Sequence, residues 1–228
     1  MHDTAMKNGK RFFDTYAKDK TGLKIVDVGA QAVHGSLRSI APLGNTYVGL
    51  DFADGPGVDV LIKDPYALPV DDNSVDIVVC SSVFEHSEFF WLVFNDIQRM
   101  LKPSGLLYLN MPSNGEVHRW PVDCWRFYPD SGTALQNWAR RSGYKTTLLE
   151  SFITRQESDQ WNDFIAVFLK DPSFKVQYPN RIQTTNKNYS NGLIDGSTTY
   201  SNPTTKQQDQ SFRLGRIFHS IRNKLTGH

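Results

Sequence analysis

Cysteine is scarce in this sequence, and long apolar runs are missing. The 228 residues include only Cys80 and Cys124, a number that fits a reducing cytoplasm and is too small for a cysteine metal cage, so we expect no metal site. No stretch approaches the roughly 18 apolar residues that span a bilayer. The opening residues lack the apolar core of a secretory signal. These absences predict a cytoplasmic protein.

The chain also lacks an excess of positive or negative charge. The chain has 25 Lys and Arg against 24 Asp and Glu. Residues 171–228 hold eight basic and three acidic residues, so the preceding part of the chain is net acidic. That part has no basic stripe of the kind that nucleic-acid-binding proteins carry. We therefore expect no nucleic-acid partner.

Short apolar segments alternate with segments of helical length, which predicts a parallel sheet covered on both faces. The predicted strands are 24–28, 46–52, 58–62, 75–81, 106–111, 144–151 and 164–169, and the predicted helices are 33–42, 89–101 and 133–142. No helix-length segment separates the last two strands, so we expect the final strand to be antiparallel. The expected domain, residues 1–171, is α/β: a Rossmann-like, doubly wound, seven-stranded and mostly parallel sheet.

The composition changes after this domain. Residues 172–211 are rich in polar residues and poor in large aliphatic ones, which predicts a flexible polar linker. Residues 212–228 restore a helical pattern, with apolar residues on one face and Arg and Lys mostly off it. This basic amphipathic helix would lie on an anionic membrane surface, at the inner face of the membrane, or dock on its own domain or another protein.

The first predicted strand ends in Asp27-Val28-Gly29-Ala30-Gln31 rather than in the G-x-G-x-x-G of a dinucleotide-binding domain. Gly29 lets a ligand approach the backbone because it has no Cβ. Asp51 ends the second strand, about 20 residues later, where an acid accepts hydrogen bonds from the hydroxyls of a ribose. An ordinary turn glycine and a solvated loop aspartate are the alternative interpretations.

Two further motifs follow in register with the strands: Asp64-Pro65-Tyr66-Ala67-Leu68-Pro69 and Arg99-Met100-Leu101-Lys102-Pro103-Ser104-Gly105. The ordered set, over about residues 22–170, resembles the class I S-adenosylmethionine-dependent methyltransferases with a type 11-like domain. The resemblance implies S-adenosylmethionine as cofactor, with Asp27 and Gly29 facing its methionine part. It places Asp51 at the ribose, Asp64 at the adenine amine and Tyr66 beside the adenine. The whole predicted cofactor set is Asp27, Gly29, Gln31, Asp51, Phe52, Asp64, Tyr66 and Ser82; Gln31 stands where the family often has a second glycine.

The segment after the fifth strand, residues 112–130, reads PSNGEVHRWPVDCWRFYPD. With residues 33–38 and 81–91, it resembles a methyltransferase subgroup associated with bacterial surface-glycan gene clusters, although His34 stands where that subgroup is expected to have Asn. The resemblance implies a sugar or glycan acceptor. The residues predicted to bind it are His34, Glu85, Arg119 and Arg126; the two arginines would grip a carboxylate or phosphate.

A sugar hydroxyl that attacks a methyl group must lose its proton to a base within hydrogen-bonding reach. His118 is the best candidate because histidine titrates near neutrality, and His86 would face the same cleft. Asp123 would orient His118 or act as the base itself. A surface histidine and a structural Asp123–Arg126 ion pair are the alternatives.

The predicted reaction is an in-line O-methylation of a sugar or glycan intermediate with a histidine base and no obligatory metal. Two alternatives stay open. One is N- or O-methylation of a small metabolite. The other is a non-catalytic cofactor-binding module that scaffolds a glycan-assembly complex.

Overall fold

One mixed sheet with helices on both faces makes up most of the computed structural model, which describes residues 2–156 and 159–205. The helices there are α1 (Asp3–Tyr16), α2 (Phe90–Met100), α3 (Pro129–Arg141) and α4 (Ile182–Thr185). The strands are β1 (Lys24–Val28), β2 (Thr46–Asp51), β3 (Val60–Leu61), β4 (Val75–Ser81), β5 (Leu101–Pro112), β6 (Thr147–Thr154), β7 (Asp163–Leu169) and β8 (Tyr189–Ile194). Segments of 3₁₀ helix lie at Leu37–Ile40, Phe84–His86 and Pro172–Gln177.

The strands follow the order β3-β2-β1-β4-β5-β7-β6-β8. Neighbours from β3 to β5 are parallel, whereas β7 runs antiparallel to both β5 and β6. This confirms the Rossmann-like α/β fold and the antiparallel strand predicted at 164–169. The predicted helix at 33–42 is only a 3₁₀ turn, because Gly35 and Pro42 leave few residues between them for a helix.

The sheet separates two apolar cores because successive strand residues point to opposite faces. Val26, Val78 and Phe94 belong to the core under α2 and α3. Ile25 and Val79 belong to the core under α1. Strand β4 is buried on both faces, as its almost continuous apolar run predicts. None of the helices in the described residues is long and apolar enough to cross a bilayer.

Helix α1 precedes the first predicted strand and was not among the predicted helices. Its buried face includes Phe12, Phe13 and Tyr16, which pack under the sheet. The His2 side chain caps it by accepting from the Ala5 amide. His2 Nδ1 also lies 3.0 Å from Asp159 Oδ2, which ties the start of the helix to the segment before β7.

The flexible linker predicted over 172–211 is wrong for the residues of that range that the structure describes. Its described part, 172–205, contains a 3₁₀ segment, α4 and β8, and β8 pairs with β6 as an eighth strand rather than leaving a seven-stranded sheet. The carboxylate of buried Glu150 accepts the amides of Ile182 and Gln183, which fixes α4 to the domain. The prediction was wrong because it relied on polar composition. A few buried residues and the backbone pairing of β8 with β6 are enough to order this segment. The predicted helix at 212–228 lies outside the described residues.

Candidate functional site

The carboxyl ends of β1, β2 and β4 lie side by side, since these strands are parallel neighbours in the sheet. Gly29 follows β1 with a φ of +84°, in the left-handed region that favours glycine. A Cβ there would lie 2.2 Å from Val83 Cγ2. The turn therefore needs glycine both for its dihedral angle and for the contact between the loops after β1 and β4.

Asp51 is buried at the end of β2, and backbone amides hold its carboxylate in place. Oδ2 accepts the amide of Gln31 at 3.0 Å, and Oδ1 accepts the amide of Ala53 at 3.1 Å. Each carboxylate oxygen has further acceptor capacity. The Gln31 side chain is directed away and donates to the Asp54 carbonyl at 2.9 Å. Gln31 thus positions Asp51 through its main chain, although a second glycine is the family pattern at this place.

Asp27 is buried within β1, and only one of its two carboxylate oxygens is hydrogen bonded to a described residue. Oδ2 accepts the Tyr47 hydroxyl at 2.7 Å, whereas Oδ1 has no hydrogen-bond partner among residues 2–156 and 159–205. Burial raises the pKa of Asp27 to about 6, and the Tyr47 bond opposes that rise. A donor group brought to Oδ1 would favour the ionised carboxylate.

Four other predicted cofactor residues follow β2, β3 and β4 and belong to the same edge. Phe52 is 56% exposed, and Asp64 is exposed with its carboxylate accepting the amide of Tyr66 at 2.8 Å. The Tyr66 ring contacts Phe89, with 5.7 Å between ring centroids. Ser82 has a φ of +56° and donates its amide to the Asn110 carbonyl. The edge thus combines carboxylates with partly exposed aromatic rings.

The segment 113–128, here called the acceptor loop, is fixed to the end of the sheet. The amide of Ser113 donates to the Asn162 carbonyl at 2.8 Å, and the amide of Cys124 donates to the Glu85 carbonyl at 2.7 Å. Gly115 has a φ of +103°, and a Cβ there would lie 2.0 Å from the Trp161 ring. The loop is therefore held against both β4 and β7.

The loop brings the two predicted bases together. The rings of His86 and His118 meet edge to face with 5.0 Å between centroids. His86 Nδ1 lies 2.5 Å from the Val122 carbonyl oxygen, and His118 Nδ1 lies 3.1 Å from that of Glu116. A carbonyl oxygen only accepts, so Nδ1 carries a proton in both rings, and in the neutral form of each ring the lone pair is on Nε2. Burial lowers the pKa of His86, which keeps its ring neutral near pH 7.

Asp123 is held by Arg126 in a bidentate ion pair, with oxygen–nitrogen distances of 2.5 and 2.8 Å. Its Oδ2 also accepts the amide of His118 and lies 3.5 Å from His118 Nδ1. The Arg126 pairing lowers the pKa of Asp123 to about 2. So weak a base fits an orienting role for Asp123 rather than proton abstraction, and the Arg126 contact has the form of a structural ion pair.

Glu85 lies beneath the histidines with no exposed surface. Neither carboxylate oxygen has a hydrogen-bond partner in the part of the chain that the structure describes, and burial raises the Glu85 pKa to about 8. Oε1 lies 3.8 Å from His86 Nε2. The other two predicted acceptor residues, His34 and Arg119, are exposed and stay predictions.

A cleft of about 330 Å³ opens between α2, α3 and the acceptor loop. Its lining is mostly aromatic and comprises Phe90, Trp91, Trp125, Arg126, Phe127, Ser131, Ala134, Leu135 and Trp138. Arg126 contributes to this lining as well as to the ion pair with Asp123. Neither His86 nor His118 belongs to this lining, and none of the predicted cofactor residues does.

Sequence reasoning missed two residues of the site. Tyr47, the partner of Asp27, could have been found, because it lies two residues before Gly49, which pairs with Asp27 in the sheet register. Trp161 contacts His118 edge to face at 5.0 Å between centroids. No local motif marks Trp161, since its place depends on the hairpin between β6 and β7.

The donor set of S-adenosylmethionine fits this edge. The cofactor carries two ribose hydroxyls, an ammonium group and an adenine amine, and all of them need acceptors. Asp51, Asp64 and the unpartnered Oδ1 of Asp27 supply carboxylate oxygens, and Tyr66 and Phe52 supply aromatic surface. Gly29, whose turn packs against Val83, lies at the same edge.

Residues 26–109 match the family model described as a methyltransferase domain. An uncharacterized methyltransferase of Mycobacterium bovis is 29% identical over 120 residues, which cover 47% of this chain and 46% of that protein. The chain thus spans about half the length of the curated relatives it matches.

Two solved structures have a similar fold. The 1,6-didemethyltoxoflavin-N1-methyltransferase of Burkholderia thailandensis, with bound 1,6-didemethyltoxoflavin and S-adenosylhomocysteine, superposes with a TM-score of 0.59 at 12% identity, covering 74% of this chain and 79% of that one. The phosphoethanolamine N-methyltransferase 2 of Haemonchus contortus, in complex with S-adenosyl-L-methionine, gives 0.53 at 13% identity, covering 72% and 52%. At these identities the likeness shows the fold.

Proposed function

We propose that this protein, whose residues 26–109 match the model of a methyltransferase domain, transfers a methyl group from S-adenosylmethionine to a hydroxyl of a sugar or glycan intermediate. The observation that carries the proposal is the pair His86 and His118, next to the loop after β4. Each ring directs Nδ1 to a backbone carbonyl, so the neutral ring carries its lone pair on Nε2, the atom that a general base uses.

S-adenosylmethionine supplies an activated methyl group on a sulfonium, so catalysis is largely alignment of the acceptor oxygen, the methyl carbon and the sulfur. Asp51 would bind the ribose hydroxyls, and the free oxygen of Asp27 would accept from the methionine part. His118 Nε2 would take the proton that the acceptor hydroxyl loses when its oxygen bonds to the methyl carbon and the carbon–sulfur bond breaks, leaving S-adenosylhomocysteine. Asp123 and the Glu116 carbonyl hold the His118 ring for this step.

The glycan assignment is supported by the resemblance of the acceptor loop to the surface-glycan subgroup and by the aromatic rings in the cleft. Trp125 is 37% exposed there, and Trp120 is 62% exposed elsewhere on the same loop. Aromatic faces pack against the apolar faces of sugar rings while hydroxyls stay free to hydrogen bond. Arg119 is exposed on this loop and would bind a phosphate or carboxylate of the acceptor.

A small aromatic metabolite is the second candidate acceptor. The 330 Å³ aromatic cleft favours it, and the Burkholderia neighbour is named for such a substrate. An amine acceptor needs no strong base, because its nitrogen lone pair attacks directly. Replacing both histidines would then leave the rate almost unchanged.

A labelled-methyl transfer assay tests the proposal against nucleotide-sugars, lipid-linked glycans and small aromatic amines. We expect transfer to a sugar hydroxyl, and transfer to amines alone would overturn the acceptor assignment. Calorimetry with S-adenosylmethionine tests the cofactor site separately. Asp51→Ala should weaken binding about 100-fold, since two charge-assisted hydrogen bonds are lost. An unchanged affinity would contradict the ribose assignment.

We also propose that the protein works in the cytoplasm and that residues 212–225 contact either the inner membrane surface or another protein. The support is the basic amphipathic pattern of the sequence. Vesicle co-sedimentation of the full chain, with anionic against neutral lipid, separates the two partners.

A further inference from the structure

Glu85, His86 and His118 form a cluster in which one ligand atom of each residue lies within 4.8 Å of the others. The Oε1 of Glu85 and the Nε2 of His86 are 3.8 Å apart. Two ligands of one tetrahedral zinc ion, each about 2.1 Å from the metal, lie about 3.4 Å from one another. Side-chain movements of a few tenths of an ångström to about one ångström bring the three groups to that spacing.

Each histidine of the cluster has one ring nitrogen bonded to the backbone. Each directs its Nδ1–H to a backbone carbonyl, that of Val122 for His86 and that of Glu116 for His118. Histidine ligands of metals are commonly held by such a bond from the other ring nitrogen, which fixes the tautomer and the ring plane. In the neutral rings the lone pair is then on Nε2, and Nε2 of His86 is the atom that lies 3.8 Å from Glu85 Oε1.

A second observation, independent of the histidines, concerns the carboxylate. Glu85 has no exposed surface, and both its oxygens are without hydrogen-bond partners among the described residues. A buried carboxyl group without a hydrogen-bond partner is unfavourable, and a cation beside it would favour its ionised form. The charges around Glu85 are the carboxylates of Asp163 and Asp123 and the guanidinium of Arg126, so negative groups outnumber the positive one.

We propose that Glu85, His86 and His118 bind a divalent transition-metal cation, with zinc as the representative ion. Two imidazole nitrogens and one carboxylate oxygen are a ligand set that zinc and ferrous sites use, with positions left open for water or a substrate oxygen. This departs from the expectation of no metal that the scarcity of cysteine suggested. A histidine Nε2 that binds the cation has no lone pair for a proton, so a ring that holds the metal does not act as the base of the proposed function. Binding of the cation itself does not depend on methyl transfer or on S-adenosylmethionine.

The test is calorimetric titration of zinc chloride into the full chain, freed of metal by a chelator and carrying no histidine tag. We expect one ion per chain and a loss of affinity of about 100-fold or more in Glu85→Gln, His86→Ala and His118→Ala. Glu85→Gln is nearly isosteric, so it keeps the test valid if a histidine variant fails to fold. His34→Ala is the matched control, since it removes a histidine outside the cluster and should bind as the parent does.

Cobalt gives a second readout, because its visible absorption reports nitrogen and oxygen ligands in a four-coordinate site. The spectrum should form with the parent chain and be absent with Glu85→Gln. Absence of binding by the parent, or parent-like binding by Glu85→Gln or His118→Ala, overturns the proposal. Asp51→Asn separates the two proposals: it should bind zinc normally even though it loses the methyl donor.

Discussion

The two halves of the site are built in different ways. The predicted cofactor side consists of short turns at the ends of adjacent parallel strands, where backbone amides hold Asp51 and Gly29 accommodates Val83. The acceptor side is a long loop held by hydrogen bonds to distant parts of the chain, such as those from Ser113 and Cys124. The first half is fixed by sheet register, and the second by tertiary contacts. Perturbations should therefore separate binding of the methyl donor from the chemistry of the acceptor.

His118→Ala is the change with the largest expected effect. Loss of the base should lower kcat for a hydroxyl acceptor by about 10²–10⁴-fold, while affinity for S-adenosylmethionine stays as in the parent. Single-turnover kinetics and calorimetry measure the two quantities separately. A full rate in this variant would mean that the acceptor needs no base, as expected for an amine. A parallel loss of cofactor affinity would mean that the two sides are not separable.

Gly29→Val should come next and act on the cofactor side. The new side chain would meet Val83 in a turn whose φ is +84°, so we expect cofactor affinity to fall by about 100-fold and stability by about 1–3 kcal/mol. Gly22→Val is the matched control, because Gly22 has a φ of +73° but nothing within 4 Å of its Cβ position. Thermal melts and calorimetry of both variants distinguish crowding at the site from backbone strain alone. Equal losses in the two variants would contradict the role given to the contact with Val83.

The buried acid on the cofactor side predicts a pH dependence. Burial raises the pKa of Asp27 to about 6 from 3.8, so the folded protein holds this proton more tightly than the unfolded chain. Stability should therefore fall as pH rises from about 4 to about 6, by about 3 kcal/mol, and then level off. Asp27→Asn removes this term and keeps an acceptor for Tyr47. Denaturant unfolding of both proteins from pH 4 to 7 checks it: a difference that does not change with pH would contradict the prediction.

Arg126→Lys should give the smallest effect and act on the acceptor side. A lysine keeps the charge but cannot make the bidentate contact with Asp123. We expect a stability loss of about 1 kcal/mol and a rise in the pKa of Asp123 from about 2, which NMR titration of the carboxyl carbon follows. Cofactor affinity should not change. If it does, the two sides are coupled through the loop.

The difference between a site fixed by sheet register and one fixed by tertiary contacts also explains how much could be predicted from the sequence. Asp27, Gly29 and Asp51 could be placed because strand ends in a parallel sheet meet at one edge. The proximity of His86 and His118 was expected in outline, but their shared tautomer depends on the carbonyls of Val122 and Glu116, whose positions no local pattern encodes. Trp161 was missed for the same reason.

The C-terminal part of the fold was predicted least well. Residues 172–205 look like a linker by composition, yet Tyr189 and Leu193 are buried and β8 pairs with β6. A polar segment stays disordered only when no other part of the fold can pair with it. Here the open edge of β6 pairs with β8. Helix α1 was also missed, although Phe12, Phe13 and Tyr16 give it an apolar face.

The eighth strand also determines whether a truncated version of this protein stays in solution. The outer side of β8 is covered in part by its own return segment, since Gly192 and Ser201 exchange backbone hydrogen bonds in both directions. At the opposite border of the sheet, β3 has only two residues. A version trimmed before residue 189 would expose the long hydrogen-bonding edge of β6, and unprotected strands of that length associate with one another. Such a fragment would aggregate with its active-site residues intact, and the insolubility would reflect an unprotected border rather than a misfolded core.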